Sequence, residues 1–157
     1  MTLRVKTEQT PLHGNRELIG QALANLVENA IKYGKPLPAA QPLGADAVAA
    51  PGNREILIEA RRDGDSVLLR VTDHGPGIPE TDRKHAVERF VRLEASRTQP
   101  GSGLGLSLAS AVATLHGGEL RLGDAHPGLS ATLALLARAG VSDRLAAQTP
   151  DVPQKAA

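Results

Sequence analysis

Cysteine and tryptophan are absent from this chain of 157 residues, and Tyr33 and Phe90 are its only tyrosine and phenylalanine. Without cysteine there is no disulfide framework, and the composition fits a reducing compartment. With so few aromatic rings the core has to be aliphatic, which singles out the two rings that remain. Charge of one sign is also lacking. Eighteen Lys and Arg against 17 Asp and Glu leave +1, too weak a field to argue for nucleic acid or an anionic membrane. No apolar run approaches the roughly 20 residues of a membrane span, and the N-terminus carries no hydrophobic signal segment. The expectation is one soluble, cytoplasmic domain of a size that closes around a single core, with no nucleic-acid or membrane contact.

The aliphatic residues order the chain. Leu3-Arg4-Val5-Lys6 alternates like a short strand. Asn15 is a good N-cap for a helix running to about Tyr33, with Gly34 and Pro36 as its stop and Ile19, Ala22, Leu23, Leu26 and Ala30 as its apolar stripe. Lys35 to Asn53 is rich in Ala, Pro and Gly without periodicity and reads as a long surface loop. Ile56, Ile58 and Ala60, a turn at Asp63-Gly64, then Val67, Leu69 and Val71 predict a hairpin. A short helix follows Pro79, and a second long one starts at Leu104, with Leu108, Ala111, Val112 and Leu115 as its stripe and Gly117-Gly118 as its end. Leu120 and Leu122 with Ala131, Leu133 and Leu135 suggest a final hairpin, and 141–157 reads as a disordered tail. Helices separated by paired strands imply an α+β sandwich: one sheet with helices on one face.

Three polar, glycine-marked segments interrupt this pattern. On the first helix Asn25, Asn29, Lys32 and Tyr33 share a face. Each interior Asn costs roughly half a kcal/mol against Ala. An amide oxygen suits magnesium, which takes most of its other ligands from water and phosphates. Lys32 can meet a phosphate as a point charge. A solvated face that happens to hold two Asn is the alternative. Asp73 continues the parity of Val67, Leu69 and Val71, which points a carboxylate to the core side, where it needs a donor. The exocyclic amine of adenine is a suitable one. Gly75 and Gly77 permit positive φ and close approach of a ligand to bare backbone; an ordinary Asp-containing turn is the bland reading. Gly101, Gly103 and Gly105 precede a helix, where free amides make an anion site, or else form merely a flexible loop. The segment contains neither a Walker P-loop nor a dinucleotide fingerprint.

Together these segments resemble the catalytic, ATP-binding domain of sensor histidine kinases, a branch of the gyrase-like GHKL superfamily. Asn25-Leu26-Val27-Glu28-Asn29-Ala30-Ile31-Lys32-Tyr33 matches the N box, Asp73 to Ile78 the first glycine box, and Gly101 to Leu106 the second. Glu88-Arg89-Phe90-Val91-Arg92 stands as the F box, with valines at 87 and 91 where aromatics are commoner, and His116-Gly117-Gly118 is also typical. The resemblance implies a Bergerat-type fold: a two-layer sandwich with a mixed, mostly antiparallel sheet and about three helices. Residues 1–140 would form the domain, with 35–53 a variable loop and 90–102 an ATP lid. ATP and magnesium are the implied cofactors. Asn29 would hold the metal, assisted by Asn25. Lys32 would contact phosphate and Tyr33 would flank the nucleotide. Asp73 would bind the adenine amine, with Gly75, Gly77 and Ile78 shaping the base pocket. Gly101, Gly103, Leu104, Gly105 and Leu106 would hold the phosphates. Arg92 and Arg97 are lid candidates for the γ-phosphate, with surface charge as their alternative, and Phe90 is a lid anchor or core.

ATPase branches of the superfamily carry Glu four residues before the metal-binding Asn, as a general base. Here that position is Asn25, which cannot take a proton, whereas a histidine acceptor needs no such base. None of His13, His74, His85, His116 and His126 sits in an H-[ED]-x-x-x-P acceptor context. The resemblance therefore implies a monomeric kinase catalytic domain serving a histidine on a separate dimerisation and phosphotransfer domain. A response regulator would follow, and the parent protein could be membrane-anchored. The alternative is a degenerate, non-catalytic nucleotide-binding module that docks a partner.

Overall fold

The structure, a computed structural model, describes residues 1–35, 55–88 and 103–137. Most of the expected variable loop, Phe90, Arg92, Arg97, Gly101, the expected lid and the tail lie outside the described residues.

Five strands form one mixed sheet in the order β1-β2-β3-β5-β4. β1 (Thr2–Thr7) runs parallel to β2 (Glu55–Asp63), and every other pairing, through β3 (Ser66–Thr72), β5 (Leu129–Leu136) and β4 (Glu119–Asp124), is antiparallel. Register follows alternation. Ile58 opposes Val71, and Leu69 opposes Leu133, so one face of the central strands is aliphatic. The β2–β3 turn is Gly64-Asp65, one residue later than expected, because Asp63 is still paired with Ser66. Gly64 takes the positive φ of 58° that this turn requires.

Two long helices meet this sheet. α1 (Arg16–Tyr33) starts where Asn15 Oδ1 accepts from the Glu17 and Leu18 amides at 3.0 and 3.1 Å. Its expected stripe is the observed one: Ala22, Leu26 and Ala30 are buried, and Ile19 and Leu23 pack beside them. After the short α2 (Glu80–Ala86), α3 (Gly105–Leu115) buries Ser107, Ala109, Val112 and Ala113. Here the expectation fails. Leu108 and Ala111 are exposed and Leu115 is 55% exposed; only Val112 of the expected stripe is buried. Nearly every residue of α3 is small or apolar, so periodicity could not choose a face. Close packing did: α1 brings Ala22 and Ala30 into the core, and α3 brings Ala109 and Ala113.

The ends of α1 and α3 are tied by a histidine. His116 is 1% exposed; its Nδ1 donates to the Val112 carbonyl at 2.8 Å, and its Nε2 accepts from the Asn15 amide at 3.1 Å.

Candidate nucleotide-binding site

α1 is the spine of the site and touches one glycine segment near its middle and another at its C-terminus. Near its middle, a Cβ added to Gly105 would lie 3.3 Å from Asn29 Nδ2 and 3.8 Å from Asn25 Cβ. Glycine thus lets α3 begin directly against the two asparagines. At the C-terminus of α1, Gly34 is packed on Asp73 and Gly75 on the Tyr33 carbonyl. Asn29 and Gly34 are five residues apart, about 8 Å along the helix, so the start of α3 and the Asp73 loop meet α1 at separate points.

Asp73 is buried, with 7% exposure, and its carboxylate is only half satisfied. Oδ1 accepts from the Gly75 amide at 2.8 Å and the Leu129 amide at 3.3 Å. No described residue hydrogen-bonds Oδ2, so one oxygen remains to receive an N–H from a ligand. Burial pushes the Asp73 carboxyl above its ordinary value near 3.8, while the two amides and His74 pull it part of the way back. A donor reaching Oδ2 would favour the charged form.

The second unsatisfied group lies at the asparagines. Asn25 Nδ2 is buried and has no hydrogen-bond partner among the described residues. An orphaned buried amide costs about 1–3 kcal/mol, on top of the poor helix propensity of Asn. Among the described residues, no group of three His, Cys, Asp or Glu could hold a metal. The hard ligand atoms here are the Oδ1 oxygens of Asn25 and Asn29, a type that suits magnesium alongside phosphate oxygens, whereas the orphaned Nδ2 can only donate a hydrogen bond to an acceptor such as a phosphate oxygen.

The glycines divide by role. Gly77 (φ 72°) and Gly103 (φ 69°) need the left-handed region. Gly75 does not; protein backbone, rather than a ligand, fills the space beside it. The helix-ending Gly34 has φ −75° and is likewise needed for room. Lys32 pairs with Glu28 at 3.5 Å across an exposed helical turn, a contact weak enough to be exchanged. Tyr33 and Ile78 are partly exposed near the Asp73 loop, Leu104 is exposed, and Leu106 packs against the core. Leu104 provides no side-chain cap for the first-turn amides of α3.

Sequence reasoning missed the underside of the site. The start of β5 supplies the Leu129 amide to Asp73 and receives the Asp73 N–H on the Leu129 carbonyl at 3.0 Å. These are backbone groups on an aliphatic residue, and residue type carries no signal of them.

The same chain segments define a known family. Residues 14–139 match the model of the histidine kinase-, DNA gyrase B- and HSP90-like ATPases. The chain belongs to this family. It is 37% identical over 117 residues to the signal transduction histidine-protein kinase/phosphatase MprB of Mycobacterium sp. (strain KMS), covering 74% of this chain and 20% of that protein. The MprB of Mycolicibacterium smegmatis is 36% identical over 115 residues, 73% of this chain and again 20% of the relative. This chain thus spans about a fifth of the length of these relatives. A solved mycobacterial sensor histidine kinase MprB superposes with a TM-score of 0.65 at 30% identity, over 88% of this chain and 83% of that one. The ATP-binding domain of PrrB from Mycobacterium tuberculosis gives 0.59 at 25% identity, over 87% and 81%. Within the ATPase family the chain is related to the catalytic domains of sensor histidine kinases.

Proposed function

We propose that this chain binds Mg-ATP along α1 and presents the γ-phosphoryl to a histidine on a dimerisation and phosphoacceptor domain of the parent kinase, from which a response regulator takes it. The observation that carries the reading is convergence on one helix: the half-satisfied Asp73 at its end and the asparagine pair against the start of α3 at its middle. Asp73 Oδ2 accepts the adenine amine, and Gly77 and Ile78 border the base. Asn29, with Asn25, holds magnesium. Bound there, the metal neutralises phosphate charge. Lys32 exchanges Glu28 for a phosphate, and the uncapped amides from Gly103 to Gly105 take phosphate oxygens. Catalysis is positioning and charge neutralisation. Asn25 offers no base, which suits an acceptor that is already nucleophilic and disfavours water. His116, buried with both ring nitrogens engaged, is not that acceptor. We place the domain in the cytoplasm, where ATP is; among the described residues no helix is long and apolar enough to cross a membrane.

The test is calorimetric titration of the chain with a non-hydrolysable ATP analogue, with and without magnesium, followed by incubation with ATP and a separately produced acceptor-helix domain. Magnesium-dependent binding and acid-labile phosphohistidine on the acceptor are expected. Binding without transfer to any acceptor would favour a docking module, and no binding at millimolar nucleotide would defeat the reading.

A further inference from the structure

Arg83, on α2, joins two loops that are distant in sequence. Its Nε donates to the Ile78 carbonyl at 3.0 Å, and its Nη2 meets Asp124 Oδ1 at 2.6 Å. Ile78 closes the bend that begins at Asp73; Asp124 ends β4 and opens the turn that leads to Leu129. That turn folds back on the bend. Ala125 N–H donates to the Gly128 carbonyl at 3.1 Å, and a Cβ on Gly77 would lie 2.9 Å from the same oxygen. Gly128 packs on the Asp73 carbonyl, and Leu129 exchanges two hydrogen bonds with Asp73. The circuit Asp73, Gly77, Ile78, Arg83, Asp124, Leu129 is therefore closed. Asp73 and Leu129 join the two loops at one end of it, and Arg83 joins them at the other. An ordinary surface ion pair would explain less: the Arg83 side chain is 17% exposed and uses two different N–H groups on two partners. A planar guanidinium fork holds the two partners in a fixed geometry, which a lysine ammonium on a flexible stem does not.

We propose that Arg83 is a positioning residue for base recognition, holding the Asp73 bend against the β4–β5 turn so that Asp73 Oδ2 keeps its aim. This rests on the reading of Asp73 as the adenine contact and extends it to a residue that touches no nucleotide. The consequence is selectivity for the purine amine. Loosening the bend costs the hydrogen bond to the exocyclic amine, which inosine lacks, and leaves the phosphate contacts at Asn29 and Gly105 intact.

The experiment is titration of the whole chain, with magnesium, by ATP and by inosine triphosphate, for the native protein and for Arg83→Ala, Arg83→Lys and Asp124→Asn, each first checked for cooperative melting. The native chain is expected to prefer ATP by tenfold or more. Arg83→Ala should reduce that ratio at least threefold with little change in inosine triphosphate affinity, Arg83→Lys should restore part of it, and Asp124→Asn, which keeps the Ile78 bond, should fall between Arg83→Ala and the native chain. If Arg83→Ala does not fold, the other two variants carry the same expectation. An unchanged ratio in the variants that fold, or equal loss of both nucleotides, would overturn the clamp alone. A native chain that binds both nucleotides equally would overturn the Asp73 reading and the clamp with it.

Discussion

The backbone carbonyl of Tyr33 occupies the space that a side chain at position 75 would need, so the end of α1 and the Asp73 bend are in direct backbone contact through Gly75. The contact is steric. Gly75 is not among the glycines with positive φ, so an alanine there would meet no left-handed backbone strain, but its Cβ would crowd the Tyr33 carbonyl, Gly34 and, at 3.1 Å, Asp73 Oδ1. Gly75→Ala is therefore expected to cost about 1–3 kcal/mol by overpacking and to weaken ATP binding by moving Asp73 off α1. Thermal melting and nucleotide titration of the variant check both. Gly20, beside which nothing lies within 4 Å, is the control: Gly20→Ala should stabilise α1 by up to about 1 kcal/mol.

Asn25 separates stability from function. Its amide nitrogen is buried without a partner among the described residues, and Asn is a poor helix former in the interior of α1. Asn25→Ala should raise the melting temperature by a few degrees while lowering magnesium-dependent nucleotide affinity. Asn29→Ala should lose that affinity more severely. A drop in melting temperature for Asn25→Ala would show that the amide serves the fold instead.

Asp73 and Asp124 should respond to acid in opposite directions. Burial raises the Asp73 carboxyl, so the folded state binds its proton first, and stability falls as pH rises from about 3.8 through the raised value. Above that value the cost is constant, and Asp73→Asn should stabilise the free protein there, by an amount that shrinks as pH falls through the window. Nucleotide affinity should fall in the same window as the carboxylate is protonated. The hydrogen bond from Arg83 lowers the Asp124 carboxyl, assisted by His126, so its contribution is complete above about 3.8 and is lost as pH falls through the lowered value. Melting the native chain, Asp73→Asn and Asp124→Asn between pH 2.5 and 8 distinguishes the two.

Much of this was legible in the sequence, and the gaps have physical causes. Alternation at Val67, Leu69 and Val71 carried through to Asp73, so the burial of that carboxylate followed from parity alone. The α1 stripe was clear because polar residues bound it on both sides. What stayed hidden was carried by groups without residue identity, such as the Leu129 amide and the Tyr33 carbonyl. Arg83 looked like any arginine on a short helix, because its partners lie five residues before it and at the end of the distant strand β4.

The α3 face is the instructive failure, and it can be tested directly. Leucine is the more hydrophobic residue, yet Leu108 and Leu115 stay at the surface while Ala109 and Ala113 are at 0% exposure. If small residues set how closely α3 approaches the core, then size rather than hydrophobicity decides which substitutions are tolerated. Leu115→Ser should change stability by less than about 0.5 kcal/mol. Ala109→Leu adds apolar area but has nowhere to place it, and should cost about 1–3 kcal/mol or more. It should also push the start of α3 away from Asn29, since Gly105 lies one helical turn before Ala109 on the same side. Denaturant unfolding of both variants, read beside their magnesium-dependent ATP affinity, checks the argument. Equal stability losses would mean that α3 packs through its leucines after all.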